Sequence, residues 1–150
     1  MSFYQILVTI HIFSAIMGMG PGFIMIYIVT KSSTMTELRH AYFIRNRIHV
    51  FVMIGGILLL VTGLWMGLLN TYLFQQGWYI VSIILFLISL AAGPVVLKPI
   101  STPIKALLAE HEGEDIPDVY YKMSKRLFFY ERILNTLFLV IIALMILKPF

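Results

Sequence analysis

His11 stands inside the first long apolar run of the chain, in the stretch HIFSAIMGMGPGF. Ionisable residues at membrane depth are costly and tend to mark function, and an imidazole facing a thioether is one way to hold haem iron. At about 1.5 Å of rise per helical residue, Thr62, Met66, Ser82 and Met145 are expected at the depth of His11. His11 is therefore a candidate haem ligand, with Met66 or Met145 as its partner. The plainer alternative is that His11 donates a hydrogen bond to Thr62 or to a carbonyl group and holds the helices in register.

Basic and polar residues form a second candidate site where the second and fourth apolar runs begin. They are Arg45, Arg47, His49, Glu131, Arg132 and Asn135. Such a cluster binds anionic headgroups or haem propionates, with Arg45, Arg132 and Asn135 as the holding residues. It can equally anchor the chain, with Arg132 bonded to Glu131 or Asn135. Roughly 25 Å of depth is expected between His11 and His49, so one iron cannot use both histidines.

The elements that carry these residues are those of an integral membrane protein. Of 150 residues, 60% are apolar and 12% are charged, and the mean hydropathy is +0.93. A spanning helix needs about 20 apolar residues, and four stretches meet that need: about 4–30, 48–69, 78–97 and 130–147. We therefore predict one all-α domain over residues 1–150, an integral membrane four-helix bundle.

Charge placement predicts the orientation of this bundle. Nearly all lysines and arginines lie in segments 31–47 and 98–129 or at the start of the fourth span, and segment 70–77 has none. By the positive-inside rule, both charged loops are cytoplasmic and both termini lie outside. The predicted location is a bacterial inner or plasma membrane, crossed several times, with no nucleic-acid partner. The chain has no cysteine, which excludes disulfides and thiolate metal sites.

Small residues recur on one face of the first three spans. They are Ser14, Gly18 and Gly22, then Gly56, Gly63 and Gly67, then Ser82, Ser89 and Gly93. Stripes of this kind let helix backbones approach closely in lipid. Pro21 lies in the middle of the first span, where it is expected to kink the helix because it removes a backbone donor.

Several short motifs resemble a known family when they are taken in order. The chain has H-x(6)-G at His11 and Gly18, GLW at 63–65, GW at 77–78, R-x-x-N from Arg132 to Asn135, and LKPF at its end. In this it resembles the four-span bacterial membrane family that includes the haem-binding, oxygen-independent protoporphyrinogen IX oxidase, and more closely its small uncharacterised relatives. The resemblance implies that His11 ligates a haem.

The same resemblance leaves the activity open between two classes. From Gly77 the chain reads GWYIVSII, and the histidine and lysine that the family shows soon after its tryptophan are missing. In the fourth span, Asn135 is followed by threonine rather than by an acidic residue. Our reading is a membrane protein that binds a b-type haem or porphyrin through His11 and has a redox role. The alternative is a non-enzymatic protein whose small-residue faces pack against a larger membrane complex or a second copy of the chain. A transporter is disfavoured because there is neither a buried carboxylate nor an inverted repeat.

Overall fold

The computed structural model describes all residues from Met1 to Phe150, and its long elements are all helices. The helices are α1 (Phe3–Met19), α2 (Gly22–Thr30), α3 (Met35–Leu69), α4 (Gly77–Ala92), α5 (Lys98–Glu110) and α6 (Asp118–Leu147). A short 3₁₀ helix at Thr71–Gln75 precedes α4, and a π-helical turn at Gly93–Leu97 joins α4 to α5. Four helical stretches are long and apolar enough to cross a membrane, two of them formed by α1 with α2 and by α4 with α5. The predicted all-α, four-span architecture is confirmed.

The helices extend well past the predicted spans. Helix α3 has 35 residues, which corresponds to about 52 Å at 1.5 Å per residue, whereas the hydrocarbon layer is about 30 Å thick. Most of segments 31–47 and 98–129, which we expected to be loops, is therefore helical. We call the end of the bundle that holds both termini the terminal side and the opposite end the basic side. Their assignment to outside and inside stays a prediction from charge.

A separate core on the basic side stabilises these helical extensions. Nine buried residues from α2, α3, α5 and α6 pack there: Val29, Met35, Leu38, Ala41, Tyr42, Ile104, Leu108, Tyr120 and Leu127. The Thr34 hydroxyl caps α3 by accepting from the Glu37 backbone N–H at 3.2 Å. Arg39 donates to the carbonyl oxygens of Leu108 and His111, so it caps the end of α5. Hydropathy does not detect helices of this kind, because packing and capping, rather than a long apolar run, hold them.

Helices α1 and α3 cross with their backbones in contact. A Cβ atom added to Gly18 would lie 2.8 Å from the Gly56 nitrogen and 2.9 Å from the Gly55 carbonyl carbon. These distances are shorter than real Cβ contacts, so only glycine fits at the crossing. The close helix approach predicted for the stripes that contain Gly18 and Gly56 is confirmed, and the structure shows that these two glycines meet, with Gly55 as a third member. Gly93 is different, because an added Cβ would meet nothing within 4 Å.

Gly18→Ala is expected to lower the stability of the protein, because the new methyl group meets backbone atoms that cannot rotate away. Overpacking of this kind typically costs about 1–3 kcal/mol. Thermal unfolding in detergent measures the effect. Gly93→Ala is the matched control, since it adds the same methyl group in open space and should leave the melting temperature nearly unchanged. Equal melting temperatures for the two variants would contradict the crossing.

The four spans associate as two pairs. Helix α1 packs along α3, and α4 packs along α6, whereas the two pairs approach each other less closely. The first span is interrupted at Gly20 and Pro21, between α1 and α2, where the missing backbone donor of proline is expected to disturb the helix, although both residues keep helical backbone angles. Beyond the break, the Asn135 side-chain amide donates to the Gly22 carbonyl oxygen at 3.1 Å. This bond ties α2 to α6.

Candidate functional site

His11 and Thr62 connect α1 to α3 on the terminal side of the glycine crossing. The His11 Nδ1 atom lies 2.8 Å from the Thr62 hydroxyl oxygen. Both residues lie in register with the crossing, because His11 precedes Gly18 by seven residues and Thr62 follows Gly55 by seven. Gly63 makes room for the ring, since a Cβ there would lie 3.2 Å from His11 Cε1. The contact to Thr62 that the sequence predicted is therefore present.

Hydrogen bonding assigns the tautomer of His11. The Thr62 hydroxyl has one proton, and it donates that proton to the Leu58 carbonyl oxygen at 2.6 Å. When the Thr62 hydroxyl donates to Leu58, its oxygen accepts from His11, and this arrangement puts the ring proton of a neutral imidazole on Nδ1. The other ring nitrogen, Nε2, then presents a lone pair. No hydrogen bond of Nε2 is present, although the Leu59 carbonyl group also interacts with the His11 ring.

A cavity of about 570 Å³ lies between the two helix pairs, and His11 lines it. Ligand sites in proteins usually measure about 300–1,000 Å³. Four of its lining residues, one from each span, form a buried cluster toward its basic end: Met19, Leu59, Phe86 and Ile141. Toward the lipid, its lining includes Ile16 of α1 and Ile146 of α6, which are 63% and 73% exposed. The cavity therefore reaches the lipid-facing surface of the bundle.

The cavity is apolar apart from a few polar groups, most of which are already bonded. The Tyr79 hydroxyl donates to the Gly63 carbonyl oxygen at 2.8 Å. The Ser82 hydroxyl donates to the Trp78 carbonyl oxygen at 2.7 Å. Among the side-chain nitrogen and oxygen atoms of the lining, the His11 lone pair is the one without a protein partner. A ligand with a single electrophilic centre or a single hydrogen-bond donor fits such a surface.

The candidate partners of His11 lie in different places. Met145 and Ser82 line the same cavity as His11, as their expected depth indicated. Met66 is buried but is not part of the cavity lining. Of the four residues expected near His11, Thr62 bonds it, Ser82 and Met145 line the same cavity, and Met66 does not.

The second candidate cluster is held together by an ion pair that the sequence did not predict. Its Glu131 carboxylate is buried, so the expectation that the chain has no buried carboxylate is wrong. The two terminal guanidinium nitrogens of Arg45 donate to the Glu131 carboxylate, and both side chains are nearly buried. The Arg45 guanidinium also lies 5.6 Å from the centroid of the Tyr42 ring. The expected bond from Arg132 to Glu131 or Asn135 is wrong, because Glu131 faces α3 while Arg132 points outward. Arg45 and Arg132 are both close enough in the fold or sequence to pair with Glu131, and Arg45, which faces inward, forms the ion pair.

The remaining residues of this cluster do not meet at the cavity. Asn135 shares a helix face with Glu131, as expected from their spacing, but its amide bonds Gly22. His49 is exposed. None of Arg45, Arg132 and Asn135 lines the cavity. Their predicted binding of haem propionates therefore stays a prediction, and these residues are separate from the cavity that His11 lines.

No group of three or more histidine, cysteine or acidic side chains in the chain has the arrangement of a metal site. A metal ion at His11 would therefore need most of its ligands from elsewhere.

Comparison with known proteins gives one match. The family model described as "Predicted integral membrane protein (DUF2269)" matches residues 5–149. No curated protein matches the chain, and neither does any solved structure.

Proposed function

The chain belongs to the family of predicted integral membrane proteins designated DUF2269, and within that family we propose that it binds a b-type haem or a related metalloporphyrin through His11 Nε2. The observation that carries the proposal is the oriented imidazole. Its Nδ1 proton is held by Thr62, and its free nitrogen belongs to a residue that lines a large apolar cavity. Histidines that ligate metals almost always donate their other ring N–H to a fixed acceptor in this way.

The cavity favours a macrocycle over a free metal ion. A porphyrin brings four nitrogen ligands of its own, so one or two protein ligands complete the iron. A single histidine without neighbouring acidic, histidine or cysteine side chains suits that requirement and does not suit a free ion. The apolar lining matches the faces of a porphyrin ring, and the opening beside Ile16 and Ile146 lets a membrane-dissolved ligand approach from the lipid.

Lys148 is placed to hold the carboxylates of such a ligand. It lies two residues beyond Ile146, a lining residue, and its Nζ is 5.4 Å from the centroid of the Trp78 ring. Trp78 in turn precedes Tyr79, another lining residue. A haem with its propionates toward the terminal side would thus meet a positively charged group without reaching Arg45.

The proposed role is redox chemistry in a cell membrane. A bound haem supplies one-electron transfer, and the protein supplies the axial ligand, the orientation and the exclusion of water. Oxidation of protoporphyrinogen is outside the proposal, because the chain lacks the histidine and lysine that the resembling family shows after the residue equivalent to Trp78. The alternative of a partner protein loses its main support, since Gly18, Gly55 and Gly56 pack within the chain.

Titration of the detergent-purified protein with haemin tests the proposal. We expect a Soret band that saturates at one haem per chain and a distinct α-band after reduction. His11→Ala should lose both features, because it removes the free imidazole nitrogen. His40→Ala is the matched control, since His40 is exposed and remote in sequence from the cavity lining. A wild type without a Soret band, or an unchanged spectrum in His11→Ala, would contradict haem binding at this site.

A further inference from the structure

The cavity has two walls, one formed by α1 and α3 and the other by α4 and α6. If an iron binds at His11, as the proposed function requires, this arrangement restricts which side chain can be its second ligand. The two axial ligands of a haem iron lie on opposite faces of the macrocycle. His11 belongs to the wall formed by α1 and α3. A second protein ligand for a haem lying between the helix pairs therefore comes from α4 or α6.

Three lining residues of that opposite wall carry an atom able to bind iron: Tyr79, Ser82 and Met145. The Tyr79 hydroxyl is bonded to the Gly63 carbonyl oxygen. Ser82 is 1% exposed and its hydroxyl is bonded within α4. The Met145 thioether makes no hydrogen bond and is partly accessible. It is the one uncommitted donor on this wall.

Met145 also lies at the depth of His11. The buried cluster at the basic end of the cavity gives a common reference level, because Leu59 of α3 and Ile141 of α6 both belong to it. Thr62 follows Leu59 by three residues and Met145 follows Ile141 by four, which places them about 4.5 and 6 Å beyond that level. The thioether is therefore near the level of Thr62, the hydrogen-bond partner of His11.

The other thioethers near the cavity are less suitable. Met19 is on the same helix as His11, eight residues away, or about 12 Å along the axis. Met66 is on α3, in the same wall, and does not line the cavity. We infer that the Met145 sulfur would be the second protein ligand of a haem iron bound at His11, so that α1 and α6 would each supply one ligand.

Spectra and redox titration of haemin-loaded variants test this assignment. Met145→Leu conserves side-chain volume and should keep the haem on His11. It should nevertheless lose the sharp low-spin α-band of the reduced wild type, and its midpoint potential should fall, because a methionine ligand raises the potential. Met66→Leu makes the same substitution outside the cavity lining and should keep both the α-band and the potential of the wild type.

The outcomes separate this inference from the proposed function. A wild type that binds no haem overturns both. A haem-loaded Met145→Leu variant with the spectrum and potential of the wild type overturns the Met145 assignment alone. Loss of the low-spin α-band in Met66→Leu, with Met145→Leu unaffected, overturns it as well and identifies the ligand instead.

Discussion

Replacing Thr62 with valine is expected to weaken haem binding by about 10- to 100-fold, the usual cost of removing the residue that orients a metal-ligating histidine. Valine has nearly the shape of threonine but cannot accept a hydrogen bond from His11 Nδ1, which lies 2.8 Å from the wild-type hydroxyl oxygen. The ring is then free to rotate and to place its proton on Nε2, where it blocks the lone pair. Haemin titration followed at the Soret band measures the change.

Thr62→Ser is the control for this substitution, because it keeps the hydroxyl group. It should bind haemin within a few-fold of the wild type, although it loses a buried methyl group. If Thr62→Val and Thr62→Ser bound haemin equally tightly, Thr62 would not orient His11, and the tautomer argument would fail.

Glu131→Gln is expected to destabilise the protein by about 3–5 kcal/mol, because it leaves the nearly buried guanidinium of Arg45 without a counter-charge. For a chain of this size, that corresponds to a fall in melting temperature on the order of 10 °C. Thermal unfolding in detergent is the measurement. Arg132→Gln, one residue further along the same helix but exposed, should change the melting temperature little.

The double variant Arg45→Met with Glu131→Leu sharpens this test. It removes both charges together, and apolar replacement of a buried pair is often neutral or stabilising. Its melting temperature should therefore lie well above that of Glu131→Gln. A double variant as unstable as the single one would mean that Glu131 acts through something other than its pair with Arg45.

Much of the fold follows from local sequence patterns. Runs of apolar residues located the four spans, because a helix that crosses the hydrocarbon layer needs mainly apolar side chains and hydropathy measures that property. Pro21 predicted the interruption of the first span, because proline lacks the backbone N–H of a helical hydrogen bond whatever surrounds the helix. The recurrence of small residues predicted that another helix approaches closely at Gly18 and at Gly56, whereas the contact between these two glycines is known from the structure.

The sequence could not supply what depends on the rotation of one helix against another. Glu131 has two basic candidates, and only the packing of α3 on α6 selects Arg45 over Arg132. Gly93 has the spacing of a packing residue, yet nothing approaches it. The cavity itself is a property of the gap between two helix pairs, so no single segment encodes it.

The site was predictable in part for the same reason. His11 and Thr62 were matched by depth alone, since their contact lies in register with the glycine crossing. Met66 and Met145 have similar expected depths, and only the arrangement of walls places Met145 in the cavity and Met66 outside it. A pattern that counts residues along one helix cannot tell which side of a neighbour a side chain faces.

Chemical rescue of His11→Gly tests the central claim most directly. Glycine removes the imidazole and leaves space beside Gly63 for a free imidazole molecule from solution. The account predicts that His11→Gly shows no bound-haem Soret band with haemin alone and that added imidazole restores the band, whereas added imidazole leaves the wild-type spectrum unchanged. A His11→Gly variant that binds haemin as the wild type does, with no imidazole present, would contradict it.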